Sequence, residues 1–254
     1  MITTKQAVLE QSSAVRTPVL PEVLEHIKHI PVDYDGVVKY NTNIIEWLKP
    51  MIDLTGYYVY PRNGITEGLD WWYNRESRGV NMRSGDYQWI NSKKGEGKIA
   101  YISLPSSIDG NMDIGPKLCP IALDLAYVGS TQVKPIELDT VEYAFYSLSK
   151  SFGVRNIRTG WIFTKEPDPK LEALTFSAKY YNYYAHQVAE TIISNYDIDY
   201  VYNRVYSEQQ RVCELLDVTP SDSVWLATST HEDWSKFRRQ DEIARICLAG
   251  VYEL

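Results

Sequence analysis

Residues 143–163 read Tyr-Ala-Phe-Tyr-Ser-Leu-Ser-Lys-Ser-Phe-Gly-Val-Arg-Asn-Ile-Arg-Thr-Gly-Trp-Ile-Phe, and this stretch decides the interpretation of the chain. Its first four residues form an apolar, aromatic run that predicts a buried strand. The serines, lysine and glycine that follow predict a turn at the end of that strand. The turn therefore carries Lys150 out of the sheet together with serine hydroxyls.

Lys150 is the residue around which the chemistry of this stretch is arranged. Its amine is a nucleophile, and Ser147, Ser149 and Arg158 supply hydroxyls and a guanidinium that bind an anion. A lysine beside an anion site is what a phosphate-bearing aldehyde cofactor needs in order to form a Schiff base. The alternative is a surface lysine that ends a strand, and a bare Ser-x-Ser-Lys does not exclude it.

The order of these residues also carries a family resemblance. Ser147-Leu148-Ser149-Lys150, then Gly153, then Arg158-Thr159-Gly160-Trp161 resembles the lysine signature of the fold-type I pyridoxal-phosphate (PLP) enzymes, specifically the class I/II aminotransferases and their alliinase-like relatives. The resemblance implies an α/β fold, a three-layer sandwich around a mostly parallel sheet, with a small α/β C-terminal domain. It also implies pyridoxal 5'-phosphate as the cofactor, bound to Lys150 as a Schiff base, with Ser147, Ser149 and Arg158 as cofactor contacts.

Composition restricts the classes of function. The chain has 254 residues, 44% hydrophobic and 23% charged, which is enough to bury a large core. A net charge of −7 argues against nucleic acid and anionic membranes as partners. Three cysteines without a CxxC pattern predict neither a disulfide framework nor a metal site, and they favour a cytoplasmic location. We expect no signal peptide and no transmembrane helix.

An anion site is also predicted upstream of the lysine. Pro61-Arg62-Asn63-Gly64 predicts a turn that leads from a strand at residues 57–60 into a helix. The free N–H groups at the start of a helix attract phosphate. In the resembled family this helix start contacts the cofactor phosphate, which implies Gly64, Ile65 and Thr66 as its ligands.

Two aromatic residues fall where the family places the ring that stacks on the cofactor. Tyr87 is our first candidate for this ring and Trp89 the second. The alternative is that both are ordinary half-buried strand residues.

The loop after the predicted strand at residues 98–104 matches the family only in outline. Pro105 and Gly110 agree with the family's Asn-Pro-x-Asn-Pro-Thr-Gly turn, whereas Ser107 occupies the position of the asparagine that hydrogen-bonds the cofactor's phenolic oxygen. Asn111 is the alternative donor if the loop is shifted.

The next apolar run, residues 119–127, carries one carboxylate, Asp124. A buried carboxylate needs a cationic or hydrogen-bonding partner, so we expect one for Asp124. The family's Asp-x-x-Tyr pattern implies that Asp124 pairs with the protonated pyridine nitrogen and that Tyr127 hydrogen-bonds the phenolic oxygen.

The C-terminal tail predicts a small α/β unit with a strand at 224–228, a helix at 232–240 and a strand at 244–249. In the family such a unit carries an arginine that binds the substrate's α-carboxylate through two hydrogen bonds, which implies Arg245.

We divide the chain into three ranges. Residues 1–50 form an N-terminal arm and helices that belong to the small domain, 51–168 a PLP-binding large domain, and 169–254 a helical connection and the C-terminal small domain. Family members are commonly longer, so we expect a trimmed sheet.

The resemblance implies an aminotransferase that acts on an amino acid or a related amine. Lys150 would be the catalytic base, its pKa lowered by Arg158, with Asp124 and Tyr127 beside it. The expected partners are an amino donor, a keto-acid acceptor and a second copy of the chain in a homodimer. Two alternatives remain: a PLP-dependent lyase or cyclase that acts at Cβ or Cγ, and a non-catalytic binding protein with the same fold.

Overall fold

A six-stranded sheet forms the centre of the molecule. The computed structural model describes residues 3–11, 17–28, 30, 36–87, 97–113, 119–137, 140–240 and 242–254. The strands of this sheet are β1 (Tyr58–Pro61), β2 (Val80–Met82), β3 (Ile99–Ser103), β4 (Ile121–Asp124), β5 (Val141–Tyr146) and β6 (Trp161–Thr164). Their order is β1-β6-β5-β4-β3-β2; β2 to β5 are parallel, and β6 is antiparallel to both β5 and β1. The prediction of a mostly parallel sheet in an α/β fold is confirmed.

Helices cover both faces of the sheet. They are α1 (Thr4–Leu9), α2 (Pro21–Ile27), α3 (Val37–Leu48), α4 (Ile65–Arg75), α5 (Leu148–Ser151), α6 (Pro169–Glu172), α7 (Tyr183–Asn195) and α8 (Tyr200–Leu216), with a π-helical turn at Ala173–Ser177. Successive strand residues point to opposite faces. Ala144 belongs to the hydrophobic cluster that contains residues of α3 and α7, and Phe145 belongs to the cluster of α4. The strands are therefore buried on both faces, as parallel strands between helix layers are.

The register of the strands brings the predicted site residues to one edge of the sheet. Ser103 pairs with Asp124, and Asp124 pairs with Phe145, so β3, β4 and β5 end side by side. On the far side of β5, Pro61 pairs with Trp161, which places the turn after β1 beside the residues that precede β6. Turns distant in sequence therefore meet at this edge.

A second sheet forms the C-terminal unit. Its strands are β7 (Thr219–Pro220), β8 (Leu226–Ser229), β9 (Arg238–Gln240) and β10 (Ile243–Cys247), in the order β7-β8-β10-β9. The predicted helix at 232–240 is wrong: a 3₁₀-helix covers only Glu232–Phe237. The last three residues instead pair with β10 in a hairpin, in which Arg238 lies opposite Ala244. This pairing satisfies the hydrogen-bonding groups of their backbone.

The described residues provide neither a membrane-spanning helix nor a metal-binding group. Within the described ranges, no helix combines the length and the apolar character that crossing a membrane requires. The same ranges contain no group of three His, Cys, Asp or Glu residues arranged to hold a metal ion.

Candidate active site

Lys150 lies in the short helix that follows β5. Ser147 begins this helix, and its hydroxyl accepts a hydrogen bond from the Ser149 N–H at 3.1 Å. The same hydroxyl lies 2.6 Å from the Thr159 carbonyl oxygen and 2.7 Å from the Ser149 Oγ. The two serine hydroxyls therefore hold the lysine turn against the irregular segment that precedes β6, where the sequence implied cofactor contacts.

The amine of Lys150 has a lowered pKa. Burial is the largest cause and the positive charge of Arg245 is the second; Asp124 opposes both. A lowered pKa increases the neutral, nucleophilic fraction of the amine. The predicted direction is confirmed, but the principal neighbouring cation is Arg245, whereas the sequence had suggested Arg158.

Asp124 ends β4 and is 4% exposed. The Tyr101 hydroxyl donates to its Oδ2 at 2.6 Å, and the Ala126 N–H donates to its Oδ1 at 2.8 Å. Burial raises the pKa of Asp124 to about 6, against the opposing effect of these two hydrogen bonds. The expectation of a hydrogen-bonding partner is confirmed.

Tyr101 is a site residue that sequence reasoning missed. It lies on β3, pairs with Ala122, and so sits diagonally across from Asp124 on the same face of the sheet. The signal was present in the apolar run of residues 98–104, because a tyrosine in a strand buried on both faces needs a partner for its hydroxyl.

A second buried carboxylate, Asp86, was also missed. It is 1% exposed, and its Oδ1 accepts hydrogen bonds from the Ser103 hydroxyl at 2.6 Å and the Ser107 hydroxyl at 2.5 Å. The Ser107 hydroxyl therefore donates to a carboxylate of the protein, although the sequence assigned it to the cofactor's phenolic oxygen. The alternative donor, Asn111, accepts a hydrogen bond from the Asp222 N–H at 3.1 Å and so faces the C-terminal unit.

Arg245 reaches the site from β10 of the second sheet. It is 6% exposed, and its Nη1 donates to the Ser107 carbonyl oxygen at 2.5 Å. The same nitrogen lies 3.4 Å from the hydroxyl of Tyr127. The C-terminal arginine, the Asp-x-x-Tyr tyrosine and the loop after β3 thus form one contact group. Within it, Arg245 also acts on Lys150 electrostatically.

An anion cradle forms where α4 begins. Gly64 has a φ of 87°, and a Cβ there would lie 2.6 Å from Nη2 of Arg158. Arg158 itself has a φ of 64°, a backbone conformation that is uncommon outside glycine and that brings its guanidinium over the helix start. The free N–H groups of the first turn, with Ile65 and Thr66, therefore lie beside a guanidinium.

Tyr87 connects the two ends of the site. Its hydroxyl hydrogen-bonds the side chain of Thr66, and the charges of Asp124 and Arg158 both affect its pKa, which burial raises. The ring is half-buried, and residue 87 lies outside the strands. Trp89, the second candidate for the stacking ring, lies outside the described residues.

The structure therefore brings most of the predicted residues to one edge of the sheet. Lys150, Asp124, Tyr127, Ser107 and Arg245 form one end of the site, whereas Gly64, Ile65, Thr66, Arg158 and Tyr87 form the other.

Comparisons with known proteins give matches at the level of structure. No protein-family model and no curated protein sequence matches the chain. A PLP-bound putative aminotransferase from Clostridium difficile 630 aligns over 94% of this chain and 87% of that chain, with a TM-score of 0.68 and 10% identity. A PLP-bound C-S lyase from Staphylococcus hominis aligns over 94% and 86%, with a TM-score of 0.70 and 11% identity.

A third structure with a similar fold is an aminotransferase with a named substrate. Histidinol-phosphate aminotransferase from Sinorhizobium meliloti, in complex with pyridoxal-5'-phosphate, aligns over 99% of this chain and 93% of that chain, with a TM-score of 0.64 and 12% identity. At such low sequence identity the structural likeness shows the fold alone. The chain has the fold that these PLP-dependent aminotransferases and C-S lyases share.

Proposed function

We propose that this protein is a PLP-dependent aminotransferase that acts on an amino acid or a related amine through Lys150. The observation that carries the proposal is the surroundings of Lys150: a partly buried amine of lowered pKa that feels the charges of both Arg245 and Asp124. A lysine that only ended a strand at the surface would not bring a carboxylate and an arginine from separate elements into its electrostatic field.

The residues present fit PLP at both of its polar ends. The cradle at Gly64 combines helix N–H groups with the guanidinium of Arg158, which lies so close that a Cβ at residue 64 would collide with it. Such a pairing of N–H groups and a guanidinium suits a phosphate. Asp124, at the other end, suits a protonated ring nitrogen. When bound, PLP supplies an electron sink for the electrons released at the substrate's Cα.

Asp124 would hold the proton on the ring nitrogen. Its Oδ2 receives the Tyr101 hydroxyl, and its Oδ1 receives the Ala126 N–H. These donors favour the ionised carboxylate, which a cationic partner favours as well. The preference of the buried group for its protonated form would therefore be overcome on binding.

Lys150 would move the proton at the substrate's Cα. A general base works best when its pKa lies near the working pH, and burial together with Arg245 moves the pKa of Lys150 down from its usual high value. The neutral amine would take the proton, and the ammonium form would return it.

Arg245 would bind the substrate's α-carboxylate. One nitrogen of its guanidinium donates to the Ser107 carbonyl, which fixes the orientation of the planar group. A guanidinium is planar and presents its N–H donors as a fork, which suits two hydrogen bonds to one carboxylate. This orients the substrate so that only one bond at Cα is correctly placed for cleavage.

A lyase or cyclase that acts at Cβ or Cγ is the second candidate. The Ser107 hydroxyl, in the position of the family's asparagine, donates to Asp86, which favours different tuning of the cofactor. The C-S lyase among the structural neighbours also supports this candidate. A non-catalytic binding protein is the third alternative.

We extend the proposal to the setting of the enzyme. It includes the homodimer, an amino donor with a keto-acid acceptor, and the three domain ranges given above. Three free cysteines, Cys119, Cys213 and Cys247, support a reducing compartment such as the cytoplasm.

The test is the absorbance spectrum of the full chain with PLP, measured for wild type, Lys150→Ala and the control Lys39→Ala. Lys39 is a surface residue whose side chain is 73% exposed. We expect a lysine-dependent band in wild type and in the control, and its absence in Lys150→Ala. Conversion of the cofactor to pyridoxamine phosphate by one amino acid supports the aminotransferase, whereas release of ammonia with a keto acid supports the lyase. A spectrum that is the same in Lys150→Ala contradicts both.

A further inference from the structure

A cleft lies beside the candidate active site but does not include its residues. Its volume is about 530 Å³, and it is bounded by the turn after β1, the outer face of α4 and the segment between α6 and α7. Lys150, Asp124 and Arg245 are not part of its wall. Nothing in the proposed aminotransferase reaction uses this space.

The wall of the cleft is cationic although the chain is acidic. Four basic residues contribute to it: Arg62, Arg75, Lys170 and Lys179. The acidic residue in the wall, Glu67, accepts a hydrogen bond from the Asn63 N–H at 2.7 Å and so caps the start of α4. In a protein of net charge −7, such a wall concentrates anions locally.

Arg62 is the unusual member of this wall. It is 6% exposed, its backbone N–H donates to the Gly160 carbonyl at 2.7 Å, and its Nη1 donates to the Pro61 carbonyl at 2.9 Å. Its Nη2 has no hydrogen-bond acceptor among the described residues. A buried charged donor without an acceptor costs free energy, so an acceptor from outside the chain would stabilise this arrangement.

The groups near Arg62 do not supply that acceptor. Glu67 and Asp168 act on it electrostatically. The Glu67 carboxylate accepts the Asn63 N–H, and the Asp168 carboxylate accepts the Leu171 N–H at 2.7 Å at the start of α6. His186 lies beside the Arg62 backbone, its ring nitrogens make no hydrogen bond of normal geometry, and burial lowers its pKa to about 3. The imidazole is therefore neutral and brings no negative charge.

Aromatic rings form much of the remaining wall. The indole Nε1 of Trp71 is buried and, like Arg62, has no acceptor among the described residues. The guanidinium of Arg75 lies over the Trp71 ring, 4.8 Å from its centroid. Tyr180, Tyr181 and Tyr183 complete this side. Flat apolar surfaces beside two buried donors suit a planar molecule that carries an acid group.

We propose that this cleft binds a small carboxylate with a planar, apolar body. The carboxylate pairs with Nη2 of Arg62, and the body lies against Trp71 and the tyrosine rings. The site is separate from the proposed PLP site.

The experiment is a titration of the full chain, with PLP added, followed through its ¹⁵N-labelled indole groups. The protein has seven tryptophans, and Trp71→Phe identifies the signal of Trp71. The probes are benzoate and its uncharged analogue benzamide. We expect benzoate to shift the Trp71 signal to saturation and benzamide to bind at least about tenfold more weakly, because a hydrogen bond to a charged group contributes about 1.5–3 kcal/mol and 1.4 kcal/mol is a factor of ten.

Three variants complete the design. Arg62→Met should weaken benzoate binding at least about tenfold by the same reasoning, and Arg62→Lys, which keeps the charge and therefore supports the fold, should bind with intermediate affinity. The control Arg238→Met, which removes a surface arginine paired with Glu232 at 2.6 Å, should bind as wild type does. Equal shifts with benzoate and benzamide, or benzoate binding unchanged in both Arg62 variants, would overturn the proposal.

Lys150→Ala separates this inference from the proposed reaction. That variant should lose the lysine-dependent absorbance band and still bind benzoate with the affinity of wild type. Two results would assign the cleft to the cofactor site and show that the proposal is wrong. In the first, PLP displaces benzoate; in the second, PLP shifts the Trp71 signal and benzoate does not.

Discussion

Tyr101→Phe removes the hydroxyl that donates to Asp124 and leaves the ring in place. The bond is 2.6 Å long, is buried, and ends on a carboxylate. A hydrogen bond of this type contributes about 1.5–3 kcal/mol, and one pKa unit corresponds to about 1.4 kcal/mol. The pKa of Asp124, which burial raises to about 6 in the wild type, should therefore rise by about one to two further units in the variant.

The assay is the affinity for PLP between pH 6 and pH 9, since the ring nitrogen requires the ionised carboxylate. At pH 7 most Asp124 carboxyls are ionised in wild type and about half or fewer in the variant, so affinity should fall about two- to tenfold and recover at pH 9. Tyr143→Phe is the matched control, because the rings of Tyr143 and Tyr101 both lie against Trp72. A pH profile that does not move in Tyr101→Phe, or that moves equally in Tyr143→Phe, would refute the role assigned to this hydroxyl.

Three further predictions concern the cradle, the substrate arginine and pH. Gly64→Ala should weaken PLP binding far more than Gly56→Ala, because both glycines have a positive φ near 86° but only the Cβ at residue 64 would meet Arg158; equal effects would show that backbone strain alone matters. Arg245→Lys should raise KM for the amino acid about tenfold with a smaller change in kcat, since one charge-assisted hydrogen bond is lost; a change in kcat alone would contradict the assignment. The Asp124 carboxyl has a higher pKa folded, about 6, than its usual 3.8. PLP-free protein should therefore lose stability as pH rises from about 4 through about 6, and melting temperatures should show this loss in wild type but not in Asp124→Asn.

The sequence predicted those features that depend on one segment at a time. The apolar run before Ser147 indicated a buried strand, and the single carboxylate within the apolar residues 119–127 indicated a partnered Asp124; both are confirmed. Identity of the partner was not predictable in the same way, because it depends on the register that places Tyr101 diagonally across from Asp124.

The wrong helix at 232–240 has the same origin. Its last three residues form an edge strand because they pair with β10 in a hairpin. Local propensity and spacing contain no information about that pairing. Interactions between segments also explain why Asp86 was missed: a polar residue in a polar stretch becomes a buried acceptor only when the loop after β3 folds over it.

Ser107 connects Asp86 to Arg245 of the second sheet, which changes how its replacement of the family's asparagine is interpreted. Its hydroxyl donates to Asp86, and its carbonyl accepts from Arg245. The first contact fixes the loop to the segment that follows β2, and the second fixes Arg245, the proposed substrate arginine, to that loop. A side chain that gave its hydrogen to the cofactor would leave Asp86 with one donor fewer in a buried position, which is unfavourable. Residue 107 therefore positions Arg245, and in the proposed enzyme the tuning of the cofactor would fall to Asp124 and Tyr127.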